Sequence, residues 1–229
     1  LLRHMRQKGY SEAELVNANL ARRSDKNGRT SCYDNFRNRM MIPIIDLRGN
    51  VIAFGGRVLD DAKPKYVNTS DTLVYKKSQA IFALNFAKSA NQGKLILAEG
   101  YMDVIASHQA GFTNAVACLG TALTREQARL LARYADEVIL SYDADGAGQE
   151  ATRRAIGIFN EIGMKLRVLR LSGGKDPDEI LRQYGPDRLR DLLEGAANDV
   201  EYRLLREREK FDVSIPDGKV SFLTAAIGV

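Results

Sequence analysis

Between residues 94 and 171 four short apolar runs alternate with longer amphipathic stretches, and this rhythm restricts the chain to an α/β fold. The runs cover residues 94–98, 114–118, 137–142 and 166–171, each of strand length and rich in Val, Ile, Leu and Ala. Helical patterns fill the gaps: one to Ala110, one from a Thr124/Gln127 capping box to near Tyr134, and one from about Gly148 to Ile162. Strands separated by helices cannot pair as hairpins. They need crossover connections, which lay strands parallel and cover both faces of the sheet.

The flanks read differently. Ser11 and Glu14 form a capping box for an early helix, and residues 22–35 are a polar stretch containing Gly28. Residues 40–46 and 51–54 flank the turn Leu47-Arg48-Gly49-Asn50 and predict a β-hairpin. Residues 60–72 read as irregular and 79–90 as a helix. After the sheet region, Asp176 followed by Pro177 predicts a capped helix in a charged, helical tail. The expected organisation is an α+β part over 1–90, a central α/β part with a mainly parallel sheet over 91–175, and a helical part over 176–229.

Charge follows the same division. The net charge is +5. Residues 1–90 hold 16 Lys and Arg against 8 Asp and Glu, residues 91–175 hold 10 against 9, and residues 176–229 hold 8 against 12. The basic excess therefore belongs to the first part, and it predicts either a polyanion partner or a solvated surface. Cys32 and Cys118 are the two cysteines, too few for a four-ligand structural zinc site, so no zinc is expected. Free thiols suit a reducing cytoplasm, and no apolar run approaches a membrane span. Beginning on Leu1, the chain is expected to be cut from a longer protein.

Three carboxylates fall where chemistry is expected. Glu99 ends the first run, and Asp143 and Asp145 follow the third; ligands of parallel sheets gather beyond the carboxyl ends of strands. In an extended segment Asp143 and Asp145 point to the same side. Three carboxylates in one space need protons or a cation, and an all-oxygen set favours Mg²⁺ or Mn²⁺. Asp176 and Asp178, after the fourth run, reach toward the same edge. The competing reading is local: Asp-x-Asp-Gly is also turn chemistry, and Asp176, Asp178 and Glu179 also suit a helix N-terminus.

Glu99-Gly100-Tyr101-Met102-Asp103 with Asp143-Ala144-Asp145-Gly146-Ala147-Gly148 resembles the TOPRIM domain, in the form found in bacterial DnaG-type replicative primases. Phe36-Arg37-Asn38-Arg39-Met40-Met41-Ile42-Pro43-Ile44, Phe54-Gly55-Gly56-Arg57 and Pro64-Lys65-Tyr66-Val67-Asn68 are similar to motifs of the same catalytic core, as are Asp176-Pro177-Asp178 and the tail around Phe211. Ala144 and Asn35 depart from the usual glycine and arginine. The resemblance implies RNA primer synthesis on single-stranded DNA from ribonucleoside triphosphates by Mg²⁺-dependent nucleotidyl transfer, with Mn²⁺ as a substitute. It implies Glu99, Asp143 and Asp145 as catalytic and metal-holding residues, assisted by Asp103, Asp176 and Asp178. It implies Arg37, Asn38, Arg39, Arg57, Lys65 and Lys77 as nucleotide and DNA contacts. It places the protein at the cytoplasmic replisome, with the replicative helicase reached through a C-terminal domain absent here. Two other classes stay open: a DNA-cleaving TOPRIM enzyme, which needs a nucleophilic tyrosine on a further domain, and a non-catalytic single-strand-binding module, which leaves the acidic cluster unexplained.

Overall fold

A computed structural model describes residues 1–26, 29–90, 93–120 and 122–229. Gly28, the glycine of the polar stretch, lies outside the described residues.

The first part opens with two short helices, α1 (Leu2–Gln7) and α2 (Glu12–Asn17). Ser11 caps α2: its hydroxyl accepts from Glu14 N–H, and the Glu14 carboxylate accepts from Ser11 N–H. The polar stretch, given no element by the sequence, holds two strands. It forms an antiparallel ladder of β1 (Ala21–Lys26) and β2 (Arg29–Asp34), with Ala21 opposite Asp34. The expected hairpin is present as β3 (Arg39–Ile45) and β4 (Val51–Val58), turned by Asp46, whose carboxylate accepts from the N–H groups of Arg48 and Asn50. Within the supposedly irregular 60–72, β5 (Tyr66–Asn68) adds a third strand against β4. The helix expected over 79–90 starts later, as α3 (Leu84–Ala90), because Phe82 makes a bridge to Ala117 and Ala83 takes a left-handed φ of 63°.

The centre is the alternating unit: β6 (Lys94–Ala98), α4 (Tyr101–Gln109), β7 (Ala115–Ala117), α5 (Arg125–Leu131), β8 (Glu137–Ser141), α6 (Gly146–Glu161) and β9 (Lys165–Val168). The fourth strand is shorter than its apolar run. β7, β6, β8 and β9 pair in parallel, with Ala98 beside Ala117 on one side and Ser141 on the other. Helix α7 (Pro177–Glu194) follows, kinked at Gly185 (φ 79°) before Pro186. The tail is not wholly helical: β10 (Ala197–Asn198) closes the sheet antiparallel to β9, giving the order β10-β9-β8-β6-β7. Helices α8 (Asp199–Arg208) and α9 (Pro216–Ala226) complete the chain.

Alternation along the strands builds two cores. Leu95, Leu97, Val138 and Leu140 point to one face, where they meet Ala128 and Leu131 of α5 and Ala155 and Phe159 of α6. Ile96, Ala98 and Ile139 point to the other, meeting Tyr101 and Val104 of α4, Ile180 and Leu189 of α7, and Ile42, Ile44 and Ala53 of the hairpin. Strands covered on both faces must be apolar throughout, which accounts for the continuous runs in the sequence. Gly55 lets the first part dock closely: a Cβ there would lie 2.4 Å from the Tyr101 ring. Among the described residues no helix is long and apolar enough to cross a membrane.

Candidate active site

The parallel register brings the carboxyl ends of β6 and β8 side by side, so Glu99 and Asp143 emerge together. Glu99 Oε1 accepts a hydrogen bond from Asp143 N–H at 2.9 Å. Gly148 makes this approach possible. A Cβ there would fall 2.1 Å from the Asp143 carbonyl oxygen and 2.8 Å from Glu99 Oε1.

The neighbouring acids arrive from helix starts. Asp103 sits in the first turn of α4, its Oδ2 accepting from Gly100 N–H at 3.2 Å. Asp176 caps α7, accepting from Glu179 N–H at 2.7 Å, and Asp178 follows in its first turn. The two loops are tied together by Ala144 N–H, which donates to Lys175 O at 3.0 Å. Glu99, Asp103, Asp143, Asp176 and Asp178 all line one cleft of about 360 Å³.

Asp145 keeps the expected extended backbone (φ −73°, ψ 174°) but is not among the residues that line this cleft. It is the N-cap of α6, with Oδ1 accepting from Gly148 N–H at 2.8 Å, and its residue is exposed. The helix competes for the loop: a carboxylate in this position satisfies an orphan N–H and favours the positive helix end. Asp145 still adds charge at the rim, since it helps raise Glu99 and Asp143.

The electrostatics are those of crowded acids. Burial, and then the charges of Asp176 and Asp143, push Asp103 up to about 7 against a downward pull from Gly100 N–H. Burial, then Glu99, Asp176 and Asp145, push Asp143 up to about 6, with Lys175 opposing. Glu99 is raised by burial and by Asp145, and lowered by Asp143 N–H. Among the described residues no three His, Cys, Asp or Glu side chains form a ready-made metal cage. The donor set nevertheless fits Mg²⁺, which keeps most of its waters and takes one or two carboxylates together with substrate phosphates.

The six predicted polyanion contacts divide. Arg57 and Lys65 line the same cleft as the acids, flanking the Tyr66 ring at 5.9 Å each. Lys77 lies at its edge, with Nζ 3.7 Å from where a Gly120 Cβ would stand. Arg37 stacks over Tyr33 at 5.1 Å and, with Arg22, Arg39 and Lys63, lines a second groove of about 510 Å³. Arg39 is committed locally, donating to the carbonyls of Gly56, Pro64 and Lys65 at 2.9–3.3 Å. Asn38 Nδ2 donates to Asp60 Oδ2 at 2.9 Å, away from both clefts' linings. Residues 63–67 form the shared wall: Lys63, Pro64 and Val67 line the groove, Lys65 and Tyr66 the acidic cleft.

Three residues of the cleft escaped sequence reasoning. Asn68 accepts from the Tyr101 hydroxyl at 2.9 Å. Lys175 stands beside the acids, a basic residue whose adjacency to Asp176 was a usable signal. Arg182 pairs with Asp178 Oδ2 at 2.9 Å, and its spacing of four along α7 was the signal there.

The fold and both parts of the chain have counterparts among known proteins. Residues 1–88 match the family described as "DNA primase catalytic core, N-terminal domain", and residues 96–181 match "Toprim-like". The chain is similar to the DNA primase of Clostridium acetobutylicum, 45% identical over 224 residues, covering 97% of this chain and 37% of that protein. It is 46% identical over 224 residues to the DNA primase of Deinococcus radiodurans, covering 96% and 38%. The chain thus spans little more than a third of these relatives. Among solved structures, the DnaG primase catalytic domain bound to ssDNA superposes with a TM-score of 0.80 at 36% identity, covering 95% of this chain and 69% of that one. The RNA polymerase domain of Mycobacterium tuberculosis primase DnaG in complex with double-stranded DNA gives 0.87 at 32% identity, covering 99% and 74%.

Proposed function

Because the chain belongs to the DnaG-type DNA primases, as a catalytic core containing a Toprim domain, we propose that it synthesises short RNA primers on single-stranded DNA. The observation that carries this reading is the pairing of two unlike surfaces along one wall. A basic groove that includes Tyr33 lies on one side of residues 63–67, and a carboxylate-lined cleft with its own cations lies on the other.

The reaction is attack of a ribonucleotide 3′-hydroxyl on the α-phosphate of an incoming ribonucleoside triphosphate. A phosphodiester forms and pyrophosphate leaves. Glu99 and Asp143 are the residues to hold the divalent cation, Mg²⁺ in the first instance, with Asp145 at the rim and Asp103, Asp176 and Asp178 across the cleft. A bound cation of this kind offsets charge on the attacking and leaving oxygens. Arg57 and Lys65 are assigned to the triphosphate: they line the cleft together with the acids and carry the charge that phosphates require. Lys77 extends this cationic edge. Tyr66, half-buried between Arg57 and Lys65, offers a face for a base. Arg37 with Tyr33 is assigned to the template strand in the groove. Arg39 holds the shared wall in place and Asn38 its flanking loop. The division into parts at 1–90, 91–175 and 176–229 assigns template binding to the first and the acids to the second, with Asp176 and Asp178 supplied by the third. The replicative helicase, at the replisome in the cytoplasm, is the expected protein partner.

The test supplies this chain with single-stranded DNA, labelled ribonucleotides and Mg²⁺ or Mn²⁺. Short RNA products are expected from the wild type and none from Asp143→Ala/Asp145→Ala. Undiminished products from the variant would sink the acidic-site assignment, and nicked DNA in place of RNA would favour a cleaving enzyme.

A further inference from the structure

Ala144 is the one residue between Asp143 and Asp145, and its peptide is gripped at both ends. Its N–H donates to Lys175 O at 3.0 Å, which fixes it to the loop carrying Asp176 and Asp178. Its carbonyl accepts from Gln149 Nε2 at 2.9 Å. Gln149 does not stop there. Its Oε1 accepts from Arg206 Nη2 at 2.5 Å, across 57 residues of sequence. Arg206 is in the last turn of α8, and its other amino group donates to Glu209 Oε2 at 2.5 Å. Glu209 Oε1 in turn accepts from Arg170 Nη2 at 2.8 Å, just after β9. These side chains line a small cavity of about 150 Å³ behind the acidic loop, shared with Tyr142, Asp143 and Ala144.

We propose that Gln149 and Arg206 are positioning residues that fix the Asp143–Asp145 loop from outside the cleft, so that the seating of α8 sets how tightly the acids hold their cation. The proposal rests on the metal-dependent reading above. The alanine side chain of Ala144 has nothing with which to anchor its own backbone, and Asp145 is anchored only forward, into α6. Gln149 therefore supplies the side-chain grip on the carbonyl between the two acids. Arg206 orients that amide: with its oxygen held by a guanidinium, the Gln149 nitrogen is left to face Ala144. Groups that orient metal-holding residues in this way affect metal affinity by roughly 10- to 100-fold when removed. Nothing about the reaction needs Arg206 near the substrate, so its effect should pass through Gln149 alone.

The experiment measures Mn²⁺ binding to the 229-residue chain by electron paramagnetic resonance without nucleotide or DNA, alongside primer synthesis over a Mn²⁺ titration. The variants are Gln149→Ala, Arg206→Ala, Arg206→Lys and the double Gln149→Ala/Arg206→Ala. Each single alanine variant is expected to weaken Mn²⁺ binding about tenfold. Arg206→Lys should restore most of it, and the double variant should be no weaker than Gln149→Ala. Primer synthesis should recover at saturating Mn²⁺. Unchanged Mn²⁺ affinity in Gln149→Ala, or losses that add in the double variant, would overturn the proposal. If Arg206→Ala does not fold, Gln149→Ala and Arg206→Lys decide by the same criterion. A wild type that binds Mn²⁺ but makes no primer defeats the polymerase reading and leaves the relay to the binding data. Priming with unshifted Mn²⁺ midpoints in every variant defeats the relay and leaves the polymerase reading intact.

Discussion

Asp103→Asn should stabilise the metal-free chain at pH 8 and leave it unchanged at pH 3 or below. Asp103 rises from 3.8 to about 7 in the fold, roughly three pH units. At about 1.36 kcal/mol per unit this is a cost to the folded state of about 4 kcal/mol when the group is ionised. That figure is a ceiling, because it includes repulsion from Asp176, Asp143 and Asp178, which belongs to those acids as much as to Asp103. The folded chain holds the Asp103 proton more tightly than the unfolded chain. Below about pH 3 both states are protonated and the stabilising effect of proton binding is fully present; it is lost as pH rises through the folded value near 7. Asparagine carries no charge and still presents an oxygen to Gly100 N–H, so it avoids the cost without losing the contact. For a chain of this size each kcal/mol moves the unfolding midpoint by about 2–4 °C. Thermal unfolding in EDTA should therefore show a rise of several degrees for Asp103→Asn at pH 8 and none at pH 3. Saturating Mg²⁺ should raise the wild-type midpoint more at pH 8 than at pH 5. An equal or lower midpoint for Asp103→Asn at pH 8 would refute the argument that burial, and then the neighbouring acids, penalise an ionised Asp103 in the fold.

Gly148→Ala should cost roughly 1–3 kcal/mol and weaken Mn²⁺ binding, since its Cβ would overlap the Asp143 carbonyl at 2.1 Å; urea unfolding and Mn²⁺ titration check both. Arg37→Ala, in the groove assigned to the template, should lower the slope of log affinity against log salt for single-stranded nucleic acid by about 0.7, measured by fluorescence anisotropy. Leu97→Ala, at a side chain 0% exposed between the sheet and its helices, should cost about 2–5 kcal/mol in urea unfolding.

The central sheet was legible because its strands are buried on both faces: Leu95, Ile96 and Leu97 must all be apolar, and the run announces itself. The β1–β2 ladder was not, since of its described residues only Ala21 is buried, and a strand exposed on both sides leaves no period of two. The α3 boundary was misplaced because Phe82 and Ala83 look helical but are claimed by a bridge to Ala117. At the site, strand ends placed Glu99 and Asp143 together from sequence alone. Asp145 was ambiguous for a physical reason: a helix cap and a cation call for the same carboxylate in the same loop. Arg39 was ambiguous likewise, because a guanidinium that binds three carbonyls is spelled like one that binds phosphate. Arg206 lay beyond reach, being 57 residues from the amide it holds.

The most direct test of the central claim is to locate the cation. Crystals of this chain soaked in Mn²⁺ and recorded at a wavelength where manganese scatters anomalously should show a peak in the carboxylate cleft, at about 2.0–2.2 Å from an oxygen of Asp143 or Glu99. The same soak of Asp143→Ala should lose it. A peak confined to another part of the surface, or one that survives Asp143→Ala unchanged, would contradict the assignment of this cleft as the metal-dependent centre.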